Sequence, residues 1–258
     1  MKLDEYIAKN CVNRPVRDFD IRIKFNEVKY TSSSTHNNVI SFENVDFSYG
    51  DKLILENVNI GISMMNRYIL IGENGCGKTT FFKLCKDELK PISGEIIRDR
   101  GLRIGYFDQH SITQLNNDIS PLDYLKSINN SLSEQECRSI LAKIGFKKMY
   151  EGDIFDVSKL LISELSGGQK VKLVLVGIQI TNPHIVLFDE PGNYLDIFSI
   201  DEFISAINSF NGGVVIITHD RYMIEKIENY ELLILENNTI RKYNGDFSEY
   251  CKELSQSN

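Results

Sequence analysis

Phe19, Ile21, Ile23 and Phe25 alternate with Asp20, Arg22 and Lys24, and this period of two predicts a short strand with one buried face. The polar run Thr31-Ser-Ser-Ser-Thr-His-Asn-Asn38 behind it predicts a linker or hairpin loop. Residues 1–38 therefore read as an arm and residues 39–258 as a compact domain. Within that domain Ile40, Phe42, Val45 and Phe47 predict an edge strand, and 53–62 a further strand pair. Apolar runs at 67–71 and 184–188 predict buried strands, with two more at 104–107 and 214–218. Helices are expected over 79–89, 200–209 and 221–228, and one follows Ser166-Gly-Gly. Ser120-Pro121 supplies an N-cap and a first-turn proline for a helix over 122–128. Ser133-x-x-Glu136 is a capping box whose helix should stop near Gly145. Strands alternating with helices predict an α/β fold with a mostly parallel sheet. An antiparallel β edge and an inserted, mainly helical lobe at about 110–180 complete the expected architecture.

Composition narrows the class without naming a chemistry. The chain has 258 residues, 42% of them hydrophobic and 25% charged, which suits a globular protein with a real core. Its five cysteines, Cys11, Cys76, Cys85, Cys137 and Cys251, form no Cys-x-x-Cys. That pattern argues against a disulfide framework and a zinc site, and favours a reducing, cytoplasmic setting. The longest apolar runs, such as 68–71 and 214–217, fall far short of the roughly 20 residues of a membrane helix. The stretch Met1-Lys-Leu-Asp-Glu-Tyr lacks the apolar core of a signal peptide. A net charge of −7 counts against a phosphate-rich partner.

Three strings carry candidate chemistry. Gly72-Glu-Asn74-Gly75-Cys76-Gly77-Lys78-Thr79-Thr80 fits G-x-x-x-x-G-K-[ST], between a buried strand and a helix start. Glycines let backbone N–H groups curl around phosphate, and the helix N-terminus favours the anion. Lys78 would bridge the β- and γ-phosphates, and Thr79 would offer its hydroxyl to Mg²⁺. His184-Ile-Val-Leu-Phe-Asp189-Glu190-Pro191 ends an apolar strand on two carboxylates. Asp189 could hold Mg²⁺ and Glu190 could take a proton from attacking water. Leu165-Ser166-Gly167-Gly168-Gln169 opens a helix and is either a second anion-binding N-terminus or a plain cap.

Phosphate loop, Leu-Ser-Gly-Gly-Gln, Asp-Glu-Pro and a following His219, in that order, resemble the ATP-binding cassette (ABC) ATPases over residues 39–230. The resemblance implies an ABC-type P-loop ATPase core that binds ATP and Mg²⁺. By the same resemblance Tyr49 matches the aromatic that stacks on adenine. Gln109 matches the glutamine contacting Mg²⁺ and the attacking water, Asp196 the aspartate coupling two nucleotide sites, and His219 the histidine reaching the γ-phosphate. In that family the Ser-Gly-Gly turn caps a nucleotide held by the opposite cassette. This chain has one phosphate loop and one such turn, so a second cassette, identical or joined in tandem, is the implied partner.

Within the superfamily several strings resemble the ABC-F proteins, cassettes that act on ribosomes. Asp189-Glu-Pro-Gly-Asn-Tyr-Leu-Asp196 is similar to their DEPTNHLD, where transporters more often carry DEPTSALD. LSGGQK at 165–170, Ile104-Gly-Tyr-Phe-Asp-Gln-His110, Thr218-His-Asp-Arg-Tyr222 and Tyr243-Asn-Gly-Asp-Phe-Ser-Glu-Tyr250 agree with that branch. The arm around 19–25 resembles the stretch leading into the second cassette of a tandem ABC-F protein. A ribosome-associated translation factor, or half of one, is the implied function; the alternative is the cytoplasmic ATPase subunit of a membrane transporter. The short interval between Gln109 and Ser166 excludes the chromosome-maintenance ATPases, which carry a long coiled coil there. Departures are Gly192 for the usual Thr, Tyr194 for His, Lys172 for Arg and Cys76 for Ala or Ser. None removes a phosphate or Mg²⁺ ligand, so hydrolysis is expected, with Gly192 loosening the loop beside Glu190. The long helical linker of tandem ABC-F proteins is missing from the chain.

Overall fold

The computed structural model describes residues 38–150, 153–195 and 197–256. The expected strand at 19–25, and the arm as a whole apart from Asn38, lie outside the described residues. In chain order the strands and helices are β1 (Asn38–Tyr49), β2 (Lys52–Ser63), β3 (Arg67–Gly72), α1 (Lys78–Cys85), β4 (Ser93–Arg98) and β5 (Ile104–Phe107). Then come α2 (Gln109–Thr113), α3 (Pro121–Ile128), α4 (Glu134–Lys143), β6 (Lys147–Tyr150), β7 (Asp153–Asp156) and α5 (Gly167–Ile180). The chain continues through β8 (Ile185–Asp189), α6 (Ile197–Ser209), β9 (Gly213–Ile217), α7 (Arg221–Lys226), β10 (Tyr230–Glu236), β11 (Thr239–Tyr243) and α8 (Phe247–Gln256).

A six-stranded sheet in the order β11-β10-β3-β9-β8-β5 is the centre of the molecule. β10, β3, β9, β8 and β5 run parallel, and β11 closes one edge antiparallel to β10. Pleating sends successive side chains to opposite faces. Ile69, Val186, Phe188, Val214, Ile216, Leu232 and Ile234 enter the core formed with α3 to α7. Their neighbours Leu70, Ile185, Leu187, Val215, Ile217, Leu233 and Leu235 enter the core formed with α1 and the small sheet. Both faces are thus covered, which is why these strands read as continuous apolar runs rather than alternating ones. At about 25 cal/mol per Å², burying each such side chain contributes about 1.5–3 kcal/mol.

The small sheet has the order β2-β1-β4 and is antiparallel. This corrects the edge-strand expectation for Ile40 to Phe47: β1 is the central strand. β4 is the reason, since its sequence Ser-Gly-Glu-Ile-Ile-Arg lacks the alternation that marks a strand. The expected strand pair at 53–62 is the single strand β2. A bond from the Glu56 N–H to the Asn238 carbonyl, 2.7 Å, ties it to the β10–β11 turn. That turn has Asn237 and Asn238 both at positive φ, 48° and 62°, the two-residue geometry that matches hairpin twist.

Caps explain most helix boundaries. The Ser120 hydroxyl accepts from the Asp123 N–H, and Ser133 and Glu136 form the expected box. Gly145 follows the second helix at φ 82°. α1 is shorter than expected because Asp87 turns left-handed at φ 65° and Arg98 donates to the carbonyls of Leu84 and Cys85. Those bonds satisfy last-turn carbonyls that would otherwise lack partners. β5 and β8 are neighbours, paired Ile104 to Ile185, and the chain between them carries α2 to α5 and the β6–β7 hairpin.

Phe203 is fully buried, its ring edge-on to Phe188 at 4.8 Å directly behind Asp189. Phe203→Ala should lower the unfolding free energy by about 3–5 kcal/mol, measured as a reduced urea midpoint with an unchanged m-value.

Candidate active site

The C-terminal ends of β3, β8 and β9 lie side by side because the strands are in register. Leu70 pairs with Ile217, and Asp189 with Ile217. β3 runs into the phosphate loop and β8 into Asp189-Glu190, while β9 leads through Thr218 to His219. Ligands of open parallel sheets bind at this carboxyl-terminal rim. A pocket of about 280 Å³ lies there, lined by Asn74, Gly75, Gly77, Lys78, Thr79, Thr80, Asp189 and Glu190.

Gly77 stands at φ 117°, where a side chain is strained, and an added Cβ would lie 2.6 Å from Ile54 Cγ2. Only glycine allows the loop to rest against β2 while its N–H groups face outward. Gly72 lies beneath the loop, where a Cβ would approach the Leu235 carbonyl at 2.5 Å. α1 begins at Gly77 without a side-chain cap, which leaves its first-turn N–H groups available to an anion. Lys78 is 8% exposed and its Nζ donates to the carbonyls of Gly72 and Glu73 at 2.6 and 2.9 Å.

The Thr79 hydroxyl donates to Asp189 Oδ2 at 2.8 Å. Burial, with Asp108 nearby, pushes the Asp189 carboxyl above the usual range, opposed by the Thr79 bond and the Lys78 charge. Glu190 is held at φ 50° in the left-handed region, and its N–H donates to the Ile217 carbonyl at 2.9 Å. A left-handed non-glycine residue costs about 1–3 kcal/mol and persists where surrounding structure imposes it. Burial also raises the Glu190 carboxyl, against lowering by the His219 ring, Lys78 and the His219 backbone N–H. His219 Nε2 stands 3.5 Å from Glu190 Oε1.

Other sequence-expected residues sit apart from this cluster. Tyr49 ends β1 with its ring 48% exposed and edge-on to Phe47 at 5.0 Å. Cys76 does not line the pocket; it is half-buried against the core on the α1 face, with Sγ 2.9 Å from where a Gly72 Cβ would be. Ser166, Gly167, Gly168 and Gln169 also lie outside the pocket lining. Ser166 and Gln169 form a capping box on α5, and Gly167 faces open space. Gln109 is the first residue of α2, and its side chain lies outside the described residues, as does Asp196 entirely.

Two residues escaped the sequence reading. Asp108 caps α2, accepting from the Ser111 N–H at 2.7 Å, and brings a second carboxylate toward Asp189. Asp220 caps α7. Each is an Asp directly before a helix, a local cap signal the chain displays openly.

Phosphate loop, threonine–aspartate pair and glutamate–histidine pair thus converge on one rim. The ABC transporter family model matches residues 55–193, just over half the chain. This chain belongs to the ABC transporter family. The cassette is 38% identical over 229 residues to the probable ATP-binding cassette sub-family F member 3 homolog of Encephalitozoon cuniculi, covering 88% of this chain and 39% of that protein. It is 32% identical over 244 residues to Protein GCN20 of Saccharomyces cerevisiae, covering 94% and 31% respectively. The ABC-F resemblance of its strings is thereby matched by relatives of that branch. Its fold superposes on the ATP-binding cassette MJ0796, described as a dimeric post-hydrolysis state bound to ADP and Pi. There the TM-score is 0.62 at 23% identity, over 80% of this chain and 99% of that one. The cassette spans about a fifth to two fifths of the length of the curated relatives it matches. Among the described residues no helix is long and apolar enough to cross a membrane.

The raised Glu190 carboxyl gives a signed expectation. The fold prefers its neutral form, so stability falls as pH rises from the ordinary glutamate value to the raised one, and the loss is complete above it. Glu190→Gln should therefore melt at a higher temperature than wild type at pH 7, and the gap should close as pH falls toward the ordinary glutamate range. Calorimetry across that range checks it. Gly77→Ala should destabilise the chain and weaken nucleotide binding at least tenfold, read by titration with a fluorescent ATP analogue.

Proposed function

We propose that the chain is an ATP-hydrolysing ABC-F cassette that closes on a second cassette through bound ATP and works in the cytoplasm. The observation that carries this reading is the convergence of Lys78, Thr79, Asp189, Glu190 and His219 at the rim of one sheet. In this division residues 1–38 are an arm and 39–258 the ATPase domain, with a helical lobe at about 110–180.

The phosphate loop holds the triphosphate with N–H groups from Asn74 to Thr80, and Lys78 turns its ammonium from the loop carbonyls to the β- and γ-oxygens. Tyr49 offers its exposed face to adenine. Thr79 and Asp189 are adjacent hard oxygen donors that fit Mg²⁺, an ion normally held by one or two carboxylates with substrate phosphates completing the shell. Among the described residues no cluster of three or more His, Cys, Asp or Glu competes for a metal. Mg²⁺, when bound, neutralises phosphate charge. Gln109 aids its placement in this reading. Glu190 accepts a proton from the attacking water, a role suited to a carboxylate whose basicity burial has raised. His219 steadies the γ-phosphate beside it.

The turn of Ser166, Gly167, Gly168 and Gln169 lies away from the pocket of its own chain, which suits a surface that caps ATP on a partner cassette. Asp196 would couple the two sites. Sub-family F names among the relatives agree with the ABC-F strings, and the resemblance to that branch supports the ribosome as the larger partner and translation as the setting. With a net charge of −7, that contact would run through local basic patches or through a partner carrying the long helical linker.

Lys78→Ala should abolish ATP binding; affinity equal to wild type would sink the reading. Glu190→Gln should trap an ATP- and Mg²⁺-dependent dimer on a sizing column, because water activation is lost while the nucleotide remains. Ribosomes co-purifying with that variant in ATP support the ABC-F function. An integral membrane protein in their place would make the chain a transporter's ATPase subunit.

A further inference from the structure

We propose that Thr218 and Asp220 are positioning residues that clamp the turn carrying His219 and so set the Glu190–His219 contact. The proposal rests on the hydrolytic reading of that pair. Residues 218–220 leave β9 as irregular backbone, so no sheet hydrogen bond orients His219. The turn is held instead by two side chains, neither of which touches the pocket. Thr218 is 1% exposed, and its hydroxyl accepts from the Asp220 N–H at 3.1 Å. Asp220 Oδ1 accepts from the N–H groups of Tyr222 and Met223 at 2.9 and 3.3 Å. One end of the turn is thereby locked to buried β9 and the other to α7, with His219 between.

The consequence reaches Glu190 through the His219 ring, which stands 3.5 Å from its carboxylate. That distance depends on how the 218–220 turn is held, and Thr218 and Asp220 hold its two ends. Asp220 Oδ2 meanwhile faces the loop after Glu190, 3.5 Å from where a Cβ on Gly192 would stand. The same carboxylate therefore lies against both the turn that carries His219 and the loop that follows Glu190. The His219 side chain is about half exposed, so the turn beneath it carries much of its positioning. Losing the clamp should let the ring and N–H wander by about 1 Å, a displacement worth up to about 100-fold in rate.

Thr218→Val keeps the shape and removes the acceptor; Asp220→Ala removes the cap. Both should lower kcat by about 10- to 100-fold with KM for ATP unchanged. Thr218→Ser and Asp220→Asn, which keep the hydrogen bonds, should restore it. The ring ¹H–¹³C signal of His219, one of four histidines in the chain, should shift in the first two variants and return in the second two. An unshifted His219 signal in both Thr218→Val and Asp220→Ala, or a wild-type kcat beside a lowered melting temperature, overturns the proposal. If wild type turns over ATP no faster than Lys78→Ala, the hydrolytic reading fails, while the His219 signal still decides whether the turn is clamped.

Discussion

Backbone hydrogen bonding between β3, β9 and β8 is the constraint on which the site depends. Register aligns residues of neighbouring parallel strands, and here Leu70, Ile217 and Asp189 lie on one line near the strand ends. The bond from the Glu190 N–H to Ile217 extends that ladder one residue beyond the strand. It holds Glu190 in a left-handed conformation that no local preference would choose. Removing the ladder would scatter the phosphate loop, the two carboxylates and His219, because no direct covalent path shorter than dozens of residues joins them.

The two hydrophobic cores keep that ladder rigid. Alternate residues of each central strand pack on opposite faces, so neither face can slide without breaking contacts on both. Phe188 and Phe203 sit behind the carboxylates, while α1 seats Phe81 and Phe82 behind the phosphate loop. A dense apolar backing also raises Asp189 and Glu190 above ordinary carboxyl behaviour, because charge is poorly solvated next to it. Stability and reactivity are here two consequences of the same burial. The ionised form of Glu190 weakens the fold, and its raised basicity has the same origin.

The turn of Ser166, Gly167 and Gly168 follows a different logic. Its capping box makes Ser166 a good helix start whether or not a nucleotide is near. Gly167 faces open space, which suits close approach by another surface. Tyr49 and His219 are similarly exposed for residues in their places. Tyr49, His219 and Gly167 stand outward, while the apolar residues that hold the fold are sealed.

Much of this was legible in the residues. Ser120, Ser133 and Ser166 announce their helices through contacts within three or four positions, and Gly72 to Thr80 announces a phosphate loop by type and spacing alone. Such rules act locally, so a linear string can carry them. Other features had no local mark. β4 shows no alternation, so the string could not reveal that β1 lies in the middle of its sheet. Cys76 falls within the phosphate loop by position, yet loop curvature turns its sulfur toward Gly72 and the core. The meeting of Thr79 with Asp189, and of Glu190 with His219, joins residues far apart along the chain. The sequence by itself determined which chemical groups exist and where helices begin. Only the tertiary structure decided which groups meet, because strand order and register are set by pairing between distant segments.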